Sequence, residues 1–230
     1  MALEIQESSA AKKSWSTGQC IFLAVTSLII GSAIFILAYI SMRQNIYIGT
    51  YNQKILTWLI DHRDPYITSA MALVSVAAGP KVLTVFIFLI TCIWVVIKRE
   101  IWRPILLAGA MIAGEALSTV LKSATANVRP PEITMILPIE TSYSFPSGHV
   151  IGITIFFLVL GYLILSRHTK YFVAFVWTIL AAAGIVTIAF SRMYLGYHWA
   201  TDTIASLGLG FIILAFVICI DRIVINITER

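Results

Sequence analysis

The chain has 230 residues, 59% of them hydrophobic and 12% charged, with a mean hydropathy of +0.91; an average soluble domain carries about 25% charged residues, so only about half the usual surface-forming supply is present. That excludes an ordinary soluble globule, and it excludes disorder, because so apolar a chain cannot stay solvated. The net charge of +5 does not signal a nucleic-acid binder, since the basic residues are scattered singly and form no patch or arm.

In chain order, residues 1–19 are polar to mixed and read as a cytoplasmic N-terminal segment. The first apolar run, Cys20–Ile40, has no small-residue cleavage site after a short core and reads as a retained anchor. Arg43–Gly79 is semi-polar and holds two shorter apolar stretches, Ile55–Ile60 and Tyr66–Ala78, too short to cross a bilayer. They read as outer interfacial helices, with Trp58 and Tyr66 at headgroup level. Five more spans follow, Pro80–Ile97, Pro104–Leu121, Val150–Ser166, Tyr171–Phe190 and Trp199–Ile220. The expected fold is all-α, a polytopic membrane protein with six transmembrane helices in a bundle and short interfacial helices. Residues 1–230 are expected to form a single membrane-embedded domain. Cys20, Cys92 and Cys219 each lie inside an apolar run and read as buried small hydrophobes, with no disulfide framework or metal signature.

With the N-terminus in the cytoplasm, the inner segments hold Lys12, Lys13, Lys98, Arg99, Arg103, Arg167, Lys170, Arg222 and Arg230. The outer ones hold Arg43, Lys54, Arg63, Lys81, Lys122, Arg129 and Arg192. The bias is weak alone and grows once Lys122, Arg129 and Arg192 are set aside for chemistry. This orientation puts both termini in the cytoplasm of a plasma-membrane protein.

Two outer segments, Lys122–His149 and Ser191–Asp202, place cations, His and an acid at span ends, where ionisable groups are expensive and read as functional. A phosphate ester needs fixed cations or N–H donors around its oxygens, a nucleophile, and an acid for the leaving oxygen. Lys122 closes the third span, and Arg129 lies seven residues on, its backbone restricted by Pro130–Pro131. Pro146-Ser147-Gly148 opens directly onto the fourth span, whose N-terminus offers free N–H groups to an anion beside the Ser147 hydroxyl and Gly148 N–H. His149 follows in the first turn, within reach of the same anion. His198 and Asp202 stand at i and i+4 on one helix face. The carboxylate can therefore accept from one ring nitrogen and leave the other as the attacking atom, with Arg192 reaching in from the preceding segment. In this reading His198 forms a phosphohistidine, protonated His149 supplies the departing alcohol, and water then attacks with His149 as base.

Lys122 with six residues to Arg129-Pro130, then Pro146-Ser147-Gly148-His149, then Ser191-Arg192 with five residues to His198 and three more to Asp202, resembles the three-part signature of the type-2 phosphatidic acid phosphatase family. Its superfamily includes glucose-6-phosphatase, bacterial acid phosphatases and vanadium haloperoxidases. All three blocks are present in order, over about 80 residues, and the six spans match the membrane-bound branch. The resemblance implies that Lys122, Arg129, Ser147, Gly148 and Arg192 hold phosphate, that His149 is the acid, His198 the nucleophile and Asp202 its partner. It also implies a helical bundle and phosphatase chemistry with no metal or other cofactor.

Bland readings compete at several positions. Asp202 could cap the sixth span, Arg192 could be an interfacial snorkeller, and Lys122 a helix-end cation without a role. Glu115, mid-span and two turns before Lys122 on the same face, could orient the site cations or join Ser118 and Thr119 as helix-to-helix glue. Tyr194 and Tyr197 fit an interfacial aromatic belt better than a pocket mouth. His62 reads as a solvated loop residue, and His168 faces the cytoplasm. A site at the outer interface should admit a lipid headgroup laterally, which favours lipid phosphates such as undecaprenyl diphosphate, phosphatidylglycerophosphate or phosphatidic acid. Their selection is expected to rest on a groove near Arg43–Gly79 and the spans facing it. The rivals are an anion-binding transporter and a non-catalytic membrane protein on the same scaffold; the former has no need of a His-x-x-x-Asp pair beside a second His.

Overall fold

A computed structural model describes residues 14–136, 138–167 and 171–228. Lys12, Lys13, His168, Lys170 and Arg230, which entered the orientation argument, lie outside the described residues. The described chain forms eight α-helices: α1 (Thr17–Gln44), α2 (Asn52–Asp61), α3 (Pro65–Ala77), α4 (Pro80–Lys98), α5 (Trp102–Thr125), α6 (Gly148–Leu165), α7 (Tyr171–Tyr194) and α8 (Ala200–Thr228). Six of them, α1 and α4 to α8, are long and apolar enough to cross a membrane, and each contains or nearly coincides with a span expected from the sequence. Most run further, because helical hydrogen bonding continues past the apolar run into polar ends. At α1, for example, the Gln19 N–H donates to Ser16 Oγ at 3.2 Å and the Ser16 N–H to Gln19 Oε1 at 2.8 Å, a capping box that fixes the start.

α6 and α8 form the centre of the bundle. α6 is apolar nearly all round, and Ile151, Ile155, Val159 and Leu163 pack with Leu209 and Ile213 of α8 and Leu107 and Ala110 of α5, as a helix surrounded by others requires. α5, α7 and α8 enclose α6, α4 lies outside α5, and α1 runs along α8. The α1–α8 contact depends on two glycines: a Cβ at Gly31 would stand 2.7 Å from the Gly208 carbonyl oxygen, and one at Gly208 2.7 Å from that of Gly31. Small residues that let backbones approach this closely are how membrane helices associate where burial of apolar surface offers little.

The segment between the first two spans folds as expected into short helices. At about 1.5 Å rise per residue, α3 is roughly 20 Å long, short of the roughly 30 Å of a hydrocarbon core. Asp64 caps it, accepting from the Tyr66 and Ile67 N–H groups at 2.8 and 3.1 Å, with Pro65 in the first turn. Both α2 and α3 pack on α7. His62 is exposed and stacks on Trp58 with ring centroids 4.6 Å apart, in keeping with a loop residue. Cys20 is buried as expected, whereas Cys92 and Cys219 are exposed on the outer faces of their helices; an apolar run in a membrane protein has a face that meets lipid as well as one that meets neighbours.

The start of the described chain lies beside the C-terminal end of α6. The Trp15 N–H donates to the Ser166 carbonyl at 2.9 Å, at the C-terminal end of α6, where Arg103 also meets Asp221 of α8. The N-terminus of α6, with Ser147 and His149, is at the other end of the bundle.

Candidate active site

The N-terminus of α6, the C-terminal turn of α5, the turn between α7 and α8, and the loop 126–147 converge on one polar cluster. Ser147 is the N-cap of α6, with its N–H donating to Ser206 Oγ at 2.9 Å. Its own hydroxyl is buried without a hydrogen-bond partner, a free donor beside the unpaired N–H groups of the first turn. Lys122 sits in the last turn of α5 and lies close enough to Arg129, Glu140 and Arg192 for their charges to interact.

His198 is held from below by Asp202. The carboxylate oxygen Oδ2 lies 3.2 Å from His198 Nδ1 and accepts from the Trp199 N–H at 2.9 Å, while Asn127 Nδ2 donates to Oδ1 at 3.4 Å. One carboxylate thus caps α8 and orients the imidazole, so the two readings of Asp202 are both met. The pairing places the Nδ1 proton toward Asp202 and turns Nε2 toward the cations, 3.3 Å from Arg129 Nη1. Complete burial, with the Arg192, Arg129 and Lys122 charges adding to it, holds the His198 imidazole well below its usual range. It is therefore neutral at pH 7. The turn that presents it needs Gly196, whose φ is +80° and where a Cβ would stand 2.2 Å from the Thr134 carbonyl oxygen.

Arg129 donates from Nη1 to the Tyr197 carbonyl at 2.7 Å, and from Nε and Nη2 to the Ser142 carbonyl and hydroxyl at 2.6 and 3.0 Å. Arg192, 2% exposed, donates from Nη1 to Ser75 Oγ of α3 at 2.7 Å and stacks over the Tyr197 ring, 4.2 Å from its centroid. Burial this deep removes the snorkelling alternative. It also corrects the aromatic-belt reading of Tyr194 and Tyr197, which are 3% and 5% exposed. Tyr197 supports Arg192 with its ring and donates its hydroxyl to the Ile136 carbonyl, and the Tyr194 hydroxyl accepts from the Asp64 N–H at 2.8 Å. Both are amphipathic, which in sequence looks like a headgroup belt.

His149 follows the N-cap in the first turn of α6, its Nε2 beside the α3–α4 turn, 3.6 Å from where a Cβ on Gly79 would be. Arg192, Glu140, Lys122 and Arg129 all act on it electrostatically. Every residue assigned to the site from the sequence is therefore in one cluster.

One acid escaped the sequence reading. Glu140, in the loop before Pro146-Ser147, bridges the two arginines: its Oε2 lies 2.7 Å from Arg129 Nη2, and Arg192 Nη2 donates to its Oε1. Burial pushes its carboxyl up, but Arg192 and Arg129 outweigh that and hold it below the usual range. A carboxylate thus sits between two guanidinium groups, one of which reaches the free nitrogen of His198. Ser75, Ser142 and Asn127 were also missed: Ser75 stands in the apolar stretch Tyr66–Ala78, the other two in the loop before α6, and nothing in their spacing marks them out.

From the α6 end of the cluster a cavity of about 750 Å³ runs between α4, α5 and α6, past Gly148 and Gly152. The expected groove lay near Arg43–Gly79 and the spans facing it; Ala78 of that segment lines this cavity, and the other lining residues belong to α4, α5 and α6. The rest of the segment is occupied in packing on α7, and α4 stands far enough from α6 to leave the opening.

Comparison with known proteins agrees with this geometry. Over 121 residues the chain is 31% identical to phosphatidylglycerophosphatase B of Bacillus subtilis, covering 50% of this chain and 56% of that protein. It is 30% identical over 125 residues to undecaprenyl-diphosphatase of Sulfolobus acidocaldarius, covering 53% of this chain and 56% of the relative. The matches thus span little more than half the length of these curated relatives. The crystal structure of a transmembrane PAP2-type phosphatidylglycerolphosphate phosphatase from Bacillus subtilis superimposes with a TM-score of 0.69 at 23% identity, covering 88% of this chain and 96% of that one, which shows a shared fold. The model of the PAP2 superfamily matches residues 103–224, the stretch that carries all three blocks, and this multi-pass membrane protein belongs to that superfamily.

Proposed function

We propose that the protein is a lipid phosphate phosphatase working through a phosphohistidine. The observation that carries this is the anion already seated in the cluster: the Glu140 carboxylate lies between Arg129 and Arg192, and Arg129 in turn reaches His198 Nε2. A phosphate monoester presents charge of the same sign, up to twice as much of it, and better acceptor geometry to two guanidinium forks.

In the proposed cycle phosphate takes Glu140's place, its oxygens held by Arg129, Arg192, Lys122, the Ser147 hydroxyl and the Gly148 N–H. His198 Nε2 attacks phosphorus while Asp202 stabilises the imidazolium that develops. His149, whose protonated form a bound dianion favours, gives its proton to the departing alkoxide. Water then attacks the phosphohistidine with His149 as base, and inorganic phosphate leaves. Charge develops on the transferring phosphoryl group, where the fixed cations act most strongly. No divalent metal is required in this scheme.

The largely apolar cavity between α4, α5 and α6 suits a lipid tail that stays at bilayer depth while the headgroup reaches the cations. Lipid phosphates are therefore the substrate class, with phosphatidylglycerophosphate, phosphatidic acid and undecaprenyl diphosphate as candidates. The whole chain acts as one membrane-embedded domain, its termini in the cytoplasm and its site at the outer face of the plasma membrane. The described cations Lys98, Arg99, Arg103, Arg167 and Arg222, at the end away from the site, support that orientation.

Purified protein in detergent is expected to release phosphate from a lipid phosphate in the presence of chelator, and samples quenched in alkaline detergent, where a phosphorus–nitrogen bond survives, to carry label from a radioactive phosphate at His198. Release that stops on chelation overturns the metal-free scheme. Undiminished turnover by His198→Ala overturns the phosphohistidine.

A further inference from the structure

Glu115 is a carboxylate placed where a membrane protein pays for one. It lies mid-span in α5, exposed to the cavity that leads to the cluster. Its charge acts on Lys122 at the end of the same helix, in keeping with an orienting role toward the site cations. Thr119 donates its hydroxyl to the Glu115 main-chain carbonyl at 3.0 Å, within its own helix. Ser118 is 1% exposed, and its hydroxyl has no hydrogen-bond partner. Among the described residues the Glu115 carboxylate receives no hydrogen bond either. Two polar groups of opposite capacity, an acceptor and an uncommitted hydroxyl, thus look at the same place.

That place is beside Gly148. A Cβ there would be 3.6 Å from Ser118 Oγ and 3.7 Å from Glu115 Oε2, so a side chain at position 148 would fill the gap between α5 and the first turn of α6. Glu115, Ser118 and Lys122 recur at i, i+3 and i+7 and form one stripe; Glu115 lines the cavity roughly 10 Å along the helix from Lys122, with Ser118 buried behind it toward α6. With phosphate at Lys122 and the tail along α4, the stripe runs beside the first few atoms of the leaving group. Beyond it the cavity wall is apolar, with Leu83, Ile87 and Met111.

We infer that Glu115 and Ser118 select the leaving group: they favour a lipid monophosphate with a hydroxyl on the carbon next to the scissile ester, as in a monoacylglycerol phosphate, and disfavour one in which a second phosphate occupies that position. This rests on the phosphatase reading and narrows it. The substrate hydroxyl donates to the carboxylate and accepts from Ser118, satisfying both groups in a medium with no water to do so. A diphosphate instead brings its inner phosphate toward Glu115, and like charges at this depth repel strongly. Sites built to pair a substrate hydroxyl reject analogues without it because their own polar groups are left unpaired.

The test compares three substrates with the purified full-length chain in detergent: a monoacylglycerol 3-phosphate, an alkyl phosphate of equal chain length, and a polyprenyl diphosphate. Wild type is expected to prefer the first over the second in kcat/KM by about tenfold, the scale of one hydrogen bond to a charged group. In Glu115→Leu that ratio falls to near one and use of the diphosphate rises relative to the alkyl phosphate. Ser118→Ala lowers the first ratio without raising diphosphate use, and Glu115→Gln, which keeps an acceptor, retains part of the hydroxyl preference while losing discrimination against diphosphate. Wild type that hydrolyses the alkyl phosphate with no hydroxyl preference, or Glu115→Leu with equal losses on all three substrates, overturns the inference and leaves the phosphatase reading standing. Release from none of the three overturns both.

Discussion

The two ends of the bundle each bury an arginine against an acid, and they use the pairing differently. Away from the site, Arg103 of α5 meets Asp221 of α8 at 3.3 Å, and Tyr162 of α6 donates its hydroxyl to the same carboxylate at 2.7 Å. Arg103 also donates to the Leu163 carbonyl. Arg103 and Asp221 are 2% and 0% exposed, and both stand on helices, so the pair links three spans and cannot separate without opening the bundle. At the site, Glu140 is 30% exposed and carried by a loop, while the groups it bridges, Arg129 and Arg192, have other anchors. An acid on a helix makes a staple, whereas an acid on a loop leaves a cation pair that another anion can take.

Breaking the comparison at its strongest point means removing the proposed nucleophile. His198→Ala is expected to lower turnover by at least about 10⁴-fold, as loss of a covalent catalyst does, with a Tm in detergent that shows a folded protein. The opposite end answers differently. Asp221→Asn leaves the Arg103 charge buried without its partner and is expected to cost about 3 kcal/mol of stability, read as a large drop in Tm. Phosphate release per folded molecule at low temperature should remain near wild type. A loss of turnover with an unchanged Tm would mean that the far cluster serves chemistry and that the comparison is wrong.

Much of this was legible in sequence because membrane spans announce themselves by length and the three blocks by spacing. His198 and Asp202 are four apart on one chain segment, so local geometry alone pairs them. Glu140 was not legible, since its role depends on Arg129 and Arg192 arriving from two sides, and no periodicity encodes that meeting. Tyr197 failed for a related reason: an amphipathic ring near a span end fits a headgroup belt or a buried arginine equally, and only packing decides. The walls of the cavity were only partly legible, because α4, α5 and α6 all read as apolar spans and nothing in their composition shows that α4 stands off α6. The semi-polar composition of 43–79 serves in part to attach that segment to the turn before α8, as when Arg63 donates to the Thr134 and Tyr194 carbonyls at 2.7 Å.

Smaller effects sharpen the contrast. If Glu140 holds the seat of the phosphate, Glu140→Gln weakens the resident competitor, and inhibition by orthovanadate, a phosphate mimic, should tighten by several-fold to about tenfold. The Tm should fall less than in Asp221→Asn. Weaker vanadate inhibition would make Glu140 a ligand-binding residue in its own right.

The smallest expected effect is the dependence of stability on pH. The native state holds His198 neutral well below its usual range, whereas the unfolded chain takes up that proton near pH 6.5. Below that point the unfolded state binds more protons than the native one, so stability rises with pH and is lost toward acid, by up to about 1.4 kcal/mol per pH unit for a single group. Glu140 does not confound the window from pH 7 to 5: its carboxyl is held below the ordinary value, so its contribution persists above about pH 4.3 and disappears only in stronger acid. Over that window the Tm of wild type should therefore fall more steeply than that of His198→Gln, which has no proton to take up. Parallel slopes would mean that His198 binds its proton as readily in the native state as in the unfolded chain. The cations at the site would then have failed to keep its nitrogen free, which Arg103, fixed to Asp221 at the other end, is not placed to do.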